Sequence, residues 1–182
     1  MPIPSKPVKL TEIRWNLSSL ADISAEIPKP YTCRLAGEQE KDEALRVIRA
    51  SYDLDPEWSG CDKYIEETVL PGVNKAFAGG GETLFALHGN RVIGASTYRT
   101  ELGSEEVHLV SGPCVLIEYR NRGIGAGLLS ATLQALREHG VTEATGLTRP
   151  NSPAAKFLCP KFGGQPSGKS QPPPAPEQEA AA

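Results

Sequence analysis

Closely spaced cysteines and histidines are missing from this 182-residue chain. Cys33, Cys61, Cys114 and Cys159 lie far apart, as do His88, His108 and His139, so the spacing of a zinc site or a redox dithiol is absent and no metal is expected. Unpaired, mostly buried thiols are the simpler reading, with disulfides in an exported protein as the alternative. A charge excess is missing as well. The 19 Lys and Arg against 22 Asp and Glu leave a net charge of −3, which draws the chain toward neither nucleic acid nor anionic membrane. No apolar run approaches the roughly 20 residues that span a bilayer. The opening "MPIPSKPVKL" carries three prolines and no apolar core of a secretory leader. A soluble, cytoplasmic protein with no nucleic-acid or membrane partner is the expectation.

What is present divides into three. Residues 165–182, "QPSGKSQPPPAPEQEAAA", hold five prolines and no apolar anchor, and are expected to form a disordered tail. Residues 1–30 also hold five prolines, yet carry Val8, Leu10, Ile13, Trp15, Leu17 and Leu20, which suit docking as a strand or a wrapped arm. Residues 31–164 remain as one compact domain.

Within that domain "YTCRLA" reads as a short strand, and "EQEKDEALRVIRASY" as a helix with Leu45, Ile48 and Tyr52 on one face. "DPEWSGCDKYIEETVLPGV" reads as a second helical stretch ending near Pro71-Gly72. "TLFALHGNRVIGASTYRT" supplies two strands around a Gly89-Asn90 turn, and "EEVHLVSGPCVLI" a third. A helix over 123–139 precedes the strand "VTEATGLT" and the short helix "SPAAKFLCPKF". Two strands joined by such a helix run parallel through a right-handed crossover, whereas the earlier hairpins are antiparallel. The expected fold class is α/β (α+β layered), a mixed and mostly antiparallel sheet with helices on both faces.

The functional signal lies in "EYRNRGIGAGLLSATLQALREHG". Ile124, Leu128, Leu129, Leu133 and Leu136 share one helix face, and Gly140 ends the helix. Its first turn exposes N–H groups at the positive end of the macrodipole. Gly123 and Gly125 leave those groups uncovered, while Arg120 and Arg122 add positive charge, so an anion such as a phosphate fits there. Three readings compete. Glycines ease tight packing of strand, turn and helix in any fold. A nucleotide site is the second, but a dinucleotide fold needs G-x-G-x-x-G and a Walker A loop needs Gly-Lys-Ser/Thr, neither of which "GIGAG" supplies. The third is a family resemblance. "RNRGIG", preceded by "VLIEY", resembles the R/Q-x-x-G-x-G/A signature of the GNAT superfamily of N-acetyltransferases. "LHGNRVIGASTYR" is similar to that family's second and third strands, and "NSPAAKFLCPKFGG" to its later Asn-x-x-Ala-x-x-aromatic segment. Together they cover about residues 31–164.

The resemblance implies an acyltransferase that moves acetyl from acetyl-CoA, the co-substrate, to a primary amine of a small molecule or peptide, directly in a ternary complex. It also implies a splayed central parallel strand pair with the pantetheine arm in the gap. Val115, Leu116 and Ile117 would pair with the arm through their backbone. The N–H groups of Arg120, Asn121, Arg122, Gly123, Ile124, Gly125 and Ala126 would hold the pyrophosphate, and Asn151 and Phe157 would flank the far side. Pro113, lacking an N–H, suits a bulge or splay. Many members place a proton-donating Tyr where this chain has Leu158. Along the strand, Ser111 lies on one face and His108 and Glu106 on the other, and a parity-reversing bulge at Gly112-Pro113 would bring the latter pair to the site. Tyr52, Asp53, Asp55 and Trp58, with Glu57 and Asp62 nearby, form either an acidic, aromatic-lined acceptor pocket or a turn, a helix cap and a packed ring. A CoA-binding module without catalysis and a generic nucleotide-binding domain are the alternatives. Few residues follow the last helix, so the amino-terminal arm, or a second subunit in a homodimer, is expected to cover the sheet edge.

Overall fold

The computed structural model describes residues 9–19, 25–102, 106–150 and 152–171, with backbone alone for Phe157 and residues 168–171. Strands in chain order are β1 (Leu10–Asn16), β2 (Tyr31–Leu35), β3 (Gly81–His88), β4 (Arg91–Arg99), β5 (Cys114–Val115), β6 (Glu143–Thr148) and β7 (Gln165–Gln171). They form a four-stranded sheet ordered β2-β3-β4-β5 and a three-stranded sheet ordered β6-β1-β7. Helices are α1 (Lys41–Asp53), α2 (Asp62–Tyr64), α3 (Leu70–Lys75), α4 (Ile124–Glu138) and α5 (Cys159–Lys161). They cover both faces, as the alternation of apolar side chains requires. Leu128, Leu133 and Leu136 of α4 meet Ile93, Tyr98 and Trp15 on one face, and Val47, Ile48 and Val73 of the other helices meet Phe85, Ala95 and Leu116 on the opposite one.

The edge is covered from the amino-terminal side. β1 pairs antiparallel with β6 from Thr11↔Thr148 to Asn16↔Glu143, so the arm becomes an inner strand. Its other side pairs with β7, from Leu10↔Gln171 to Arg14↔Gln165. This corrects the expectation of disorder from residue 165: a strand can be held by its backbone ladder alone, which a composition poor in apolar side chains does not reveal. Residues 172–182, Val8 and Leu20 lie outside the described residues.

The second helical stretch is longer and less regular than expected. A 3-10 turn (Pro56–Trp58) precedes α2, and π segments (Ile65–Val69 and Ala76–Gly80) flank α3, carrying the helix past Pro71 until the backbone leaves helical geometry at Gly79. The wider π turn immediately before Pro71 accommodates a residue that has no N–H to donate.

The third expected strand is interrupted, and the interruption builds the site. Leu109 bridges the two sheets, antiparallel to Tyr98 of β4 and parallel to Gly146 of β6. Its N–H donates to Thr145 O at 3.0 Å. Six residues later, Val115 pairs with Gly94 of β4 alone. The parallel pair is therefore joined at Leu109 and open at Val115, a wedge between the two sheets.

Candidate functional site

The wedge holds a cavity of about 450 Å³, walled by β5, the loop after it, the start of α4, β6, β1 and the end of α1. Leu116 N–H donates to Ile93 O at 2.9 Å, so Leu116 faces β4, and Val115, one residue earlier, turns its N–H and C=O toward the gap. Of the three residues expected to offer backbone to a ligand, Val115 alone lies on the cavity wall. Leu116 is spent on β4, and Ile117 opens a 3-10 turn in which its carbonyl accepts Arg120 N–H at 3.3 Å.

The glycines have three different jobs. Gly123 caps α4 at φ 83, a left-handed conformation that side chains resist, following Asn121 at φ 62. Gly125 opens onto the cavity, where a Cβ would meet only Val115 Cγ2, at 3.9 Å. Gly127 serves packing: a Cβ there would fall 2.4 Å from Ile27 Cγ1. The earliest backbone bond into the helix runs from Gly127 N–H to Gly123 O, so the N–H groups of Ile124, Gly125 and Ala126 have no acceptor one turn back. Arg120, Asn121, Ile124 and Gly125 line the cavity; Arg122, Gly123 and Ala126 do not. Arg122 turns away, donating to Tyr31 Oη at 3.0 Å and Glu118 O at 3.3 Å.

Arg120 instead turns inward. Its Nε donates to Val115 O at 3.0 Å, one terminal nitrogen to Ser51 O at 2.9 Å, and the other pairs with Asp55 at 3.1 Å. Asp55 also accepts Glu57 N–H at 2.9 Å as the cap of the 3-10 turn. The expected acidic pocket is thus partly dismantled: Asp55 lines the cavity with its charge already paired, and Asp53 is exposed and off the wall. Tyr52 and Trp58 do line it, their rings edge to face at 4.8 Å, and Tyr52 Oη donates to Ser111 O at 2.8 Å. Glu57 is on the wall and makes no ion pair among the described residues.

Ser111 faces the cavity, but His108 and Glu106 are not brought to it. Between Tyr98 and Gly94 the chain of β4 advances four residues while the facing segment from Leu109 to Val115 advances six. The bulge thus inserts two residues, and an even insertion leaves the alternation of faces intact. Ser111 Oγ accepts Thr97 N–H and donates to Gly112 O, each at 3.2 Å. Glu106 pairs with Arg99 at 2.5 Å. His108 Nδ1 accepts Thr145 N–H at 3.1 Å, and burial holds its pKa below 6.5 against a small opposing pull from Glu143. The unfolded chain then takes up a proton at His108 before the folded one does, so stability should fall as pH drops through 6.5 toward the folded pKa. Urea melts of the parent and of His108→Gln at several pH values check this, and the variant should lack that component of the slope.

Asn151 lies outside the described residues, and Phe157 contributes a helical position only. Leu158 and Cys159 both line the cavity, as does Cys114. Burial raises the pKa of each of these two thiols to about 11, so both stay protonated at neutral pH. Sequence reasoning missed Ile13 and Trp15 of β1, which form a wall of the same cavity. Their alternation with Arg14 was a visible strand signal, but its partner strand was not. Among the described residues there is no group of three metal-ligating side chains, and no helix is long and apolar enough to cross a membrane.

The model of the Acetyltransferase (GNAT) family matches residues 45–163, and the chain belongs to that family. Its fold is similar to that of a solved Drosophila protein (TM-score 0.62, 14% identity, covering 88% of this chain and 48% of that one). It is also similar to a tandem GNAT protein from the clavulanic acid biosynthesis pathway (0.61, 17%, 89% and 51%) and to a GNAT-family acetyltransferase from Colwellia psychrerythraea (0.57, 17%, 88% and 53%). The chain spans about half the length of these structures, and at such identities they share a fold with it and nothing finer. No curated protein sequence matches it.

Proposed function

We propose that this protein is an acetyl-CoA-dependent N-acetyltransferase that acylates a primary amine directly in a ternary complex. The observation that carries the reading is the wedge, joined at Leu109 and open at Val115, which leads from the start of α4 to the end of α1. The uncovered N–H groups of Ile124, Gly125 and Ala126 suit a pyrophosphate, and a side chain at Gly125 would intrude where the ligand passes. Bound there, acyl-CoA would supply an activated thioester. Val115 N–H, directed into the gap, is the donor for the charge that develops on the acyl oxygen. The amine approaches from the side of Tyr52, Trp58 and Glu57, whose carboxylate makes no ion pair among the described residues and favours an ammonium group. That group must lose a proton first, having a pKa near 10, and with Leu158 in the place of a Tyr donor, water carries protons to and from the site.

Thermal unfolding with CoA, acetyl-CoA, ATP and NAD in parallel tests the reading. A ligand at 100 times its Kd adds about 2.7 kcal/mol, and a rise in Tm with the CoA compounds alone is expected. A larger rise with ATP or NAD would overturn it. The neutral thiols and Leu158 favour a second reading, a CoA-binding module without catalysis. It predicts the same rise but no thiol release from acetyl-CoA with any amine.

A further inference from the structure

We infer that the acyl chain this site takes is an aliphatic one longer than acetyl, and that the closed end of the wedge is its chamber. The inference rests on the acyl-CoA reading above. With the acyl carbonyl at Val115 N–H, the wedge continues along β4 from Gly94 to Tyr98, where Leu109 closes it. Four residues of antiparallel strand span about 14 Å at roughly 3.4 Å each. An acetyl methyl reaches only one C–C bond past the carbonyl carbon, about 1.5 Å. Most of the wedge lies beyond it.

The walls of that deeper part are apolar. Ile13 and Trp15 come from β1, Leu129 from α4, and Leu158 from the last helical segment, all on the wall of the one cavity. The end is sealed where Leu109 and Trp15 close over Gly146, since a Cβ at Gly146 would fall 3.3 Å from Leu109 Cβ and 3.3 Å from Trp15 Cζ3. The hydroxyl of Ser111 is already engaged with Thr97 N–H and Gly112 O, and those of Thr148 and Ser152, also on the cavity wall, are bonded to each other at 3.3 Å. The deeper wedge therefore has little to offer a charged amine, which would lose its hydration there without a partner. It suits methylene groups. The transfer keeps its balance whatever the chain length: the C–N bond forms, the C–S bond breaks, the amine proton passes to water, and the thiolate of CoA leaves and is protonated by solvent.

Calorimetric titration of the full chain with CoA and with acetyl-, propionyl-, butyryl- and hexanoyl-CoA tests this. Each methylene up to butyryl should tighten Kd about fourfold, the equivalent of ~0.8 kcal/mol per buried CH₂. Leu129→Phe should erase the gain of butyryl- over acetyl-CoA by filling the chamber. Leu158→Phe, at a half-buried position, gives the same readout if the first variant does not fold. Flat or weakening affinity from acetyl to butyryl, with CoA and acetyl-CoA still binding, overturns the chamber and leaves the acyltransferase reading standing. A gain with chain length that survives both variants also overturns it, because the chain would then lie elsewhere. Binding by none of the CoA compounds overturns both.

Discussion

A chain that begins at Tyr31 should show no cooperative melt. The truncation removes Leu10, Ile13, Trp15 and Leu17, each 0–2% exposed. Large-to-small changes at such positions cost about 2–5 kcal/mol apiece. Four together reach roughly 10 kcal/mol, comparable with the whole stability of an ordinary domain, about 5–15 kcal/mol. β6 and β7 would also lose the strand between them and expose unpaired backbone on both sides. Trp15→Ala alone should cost about 3–5 kcal/mol. Trp15→Phe should cost much less, because Trp15 Nε1 is buried without a hydrogen-bond partner among the described residues. Urea titration followed by near-ultraviolet dichroism reads all three. A truncated domain that melts like the parent would show that β1 is dispensable.

Arg120→Ala should lower stability by about 2–4 kcal/mol. It strands the Asp55 carboxylate, whose side chain is 21% exposed, and takes donors from the carbonyls of Val115 and Ser51. Breaking a buried pair by removing one partner costs about 3–5 kcal/mol, and the partial exposure of this one moderates that. Arg120→Lys should recover little, since one ammonium cannot reproduce a fork that serves three acceptors. In the double variant Arg120→Ala/Asp55→Asn the loss should be smaller than the sum of the singles, by about 1–3 kcal/mol in a mutant cycle. Additive losses would mean that the two residues stand apart energetically.

The helices were legible because their apolar periodicity is local: Ile124, Leu128, Leu129, Leu133 and Leu136 are all buried against the sheet. The glycine-rich helix entrance was legible for the same reason, its residues being contiguous. The wedge was half legible. Gly112 and Pro113 marked a break in the ladder, but whether the bulge inserts one residue or two depends on the partner strand, and that count decides whether Ser111 or His108 faces the gap. The fate of Asp55 was not legible at all, because the cation that neutralises it sits on a loop far along the chain. A cluster of carboxylates in a linear sequence carries no record of distant partners. The packing role of Gly127 was not legible for a similar reason, since Ile27 approaches it from a segment with no periodic signal.

β1 also sets the order in which the molecule can assemble on the ribosome. Trp15 is synthesised well before its partner in the ladder, Ala144. At about 5–20 residues per second, a separation of this size delays pairing by roughly ten seconds. Through that interval the nascent chain carries an unpaired apolar strand, with Ile13, Trp15 and Leu17 open to the cell. A holdase that recognises extended apolar segments has its window there, and the cavity, which needs both strands, is completed only as it closes.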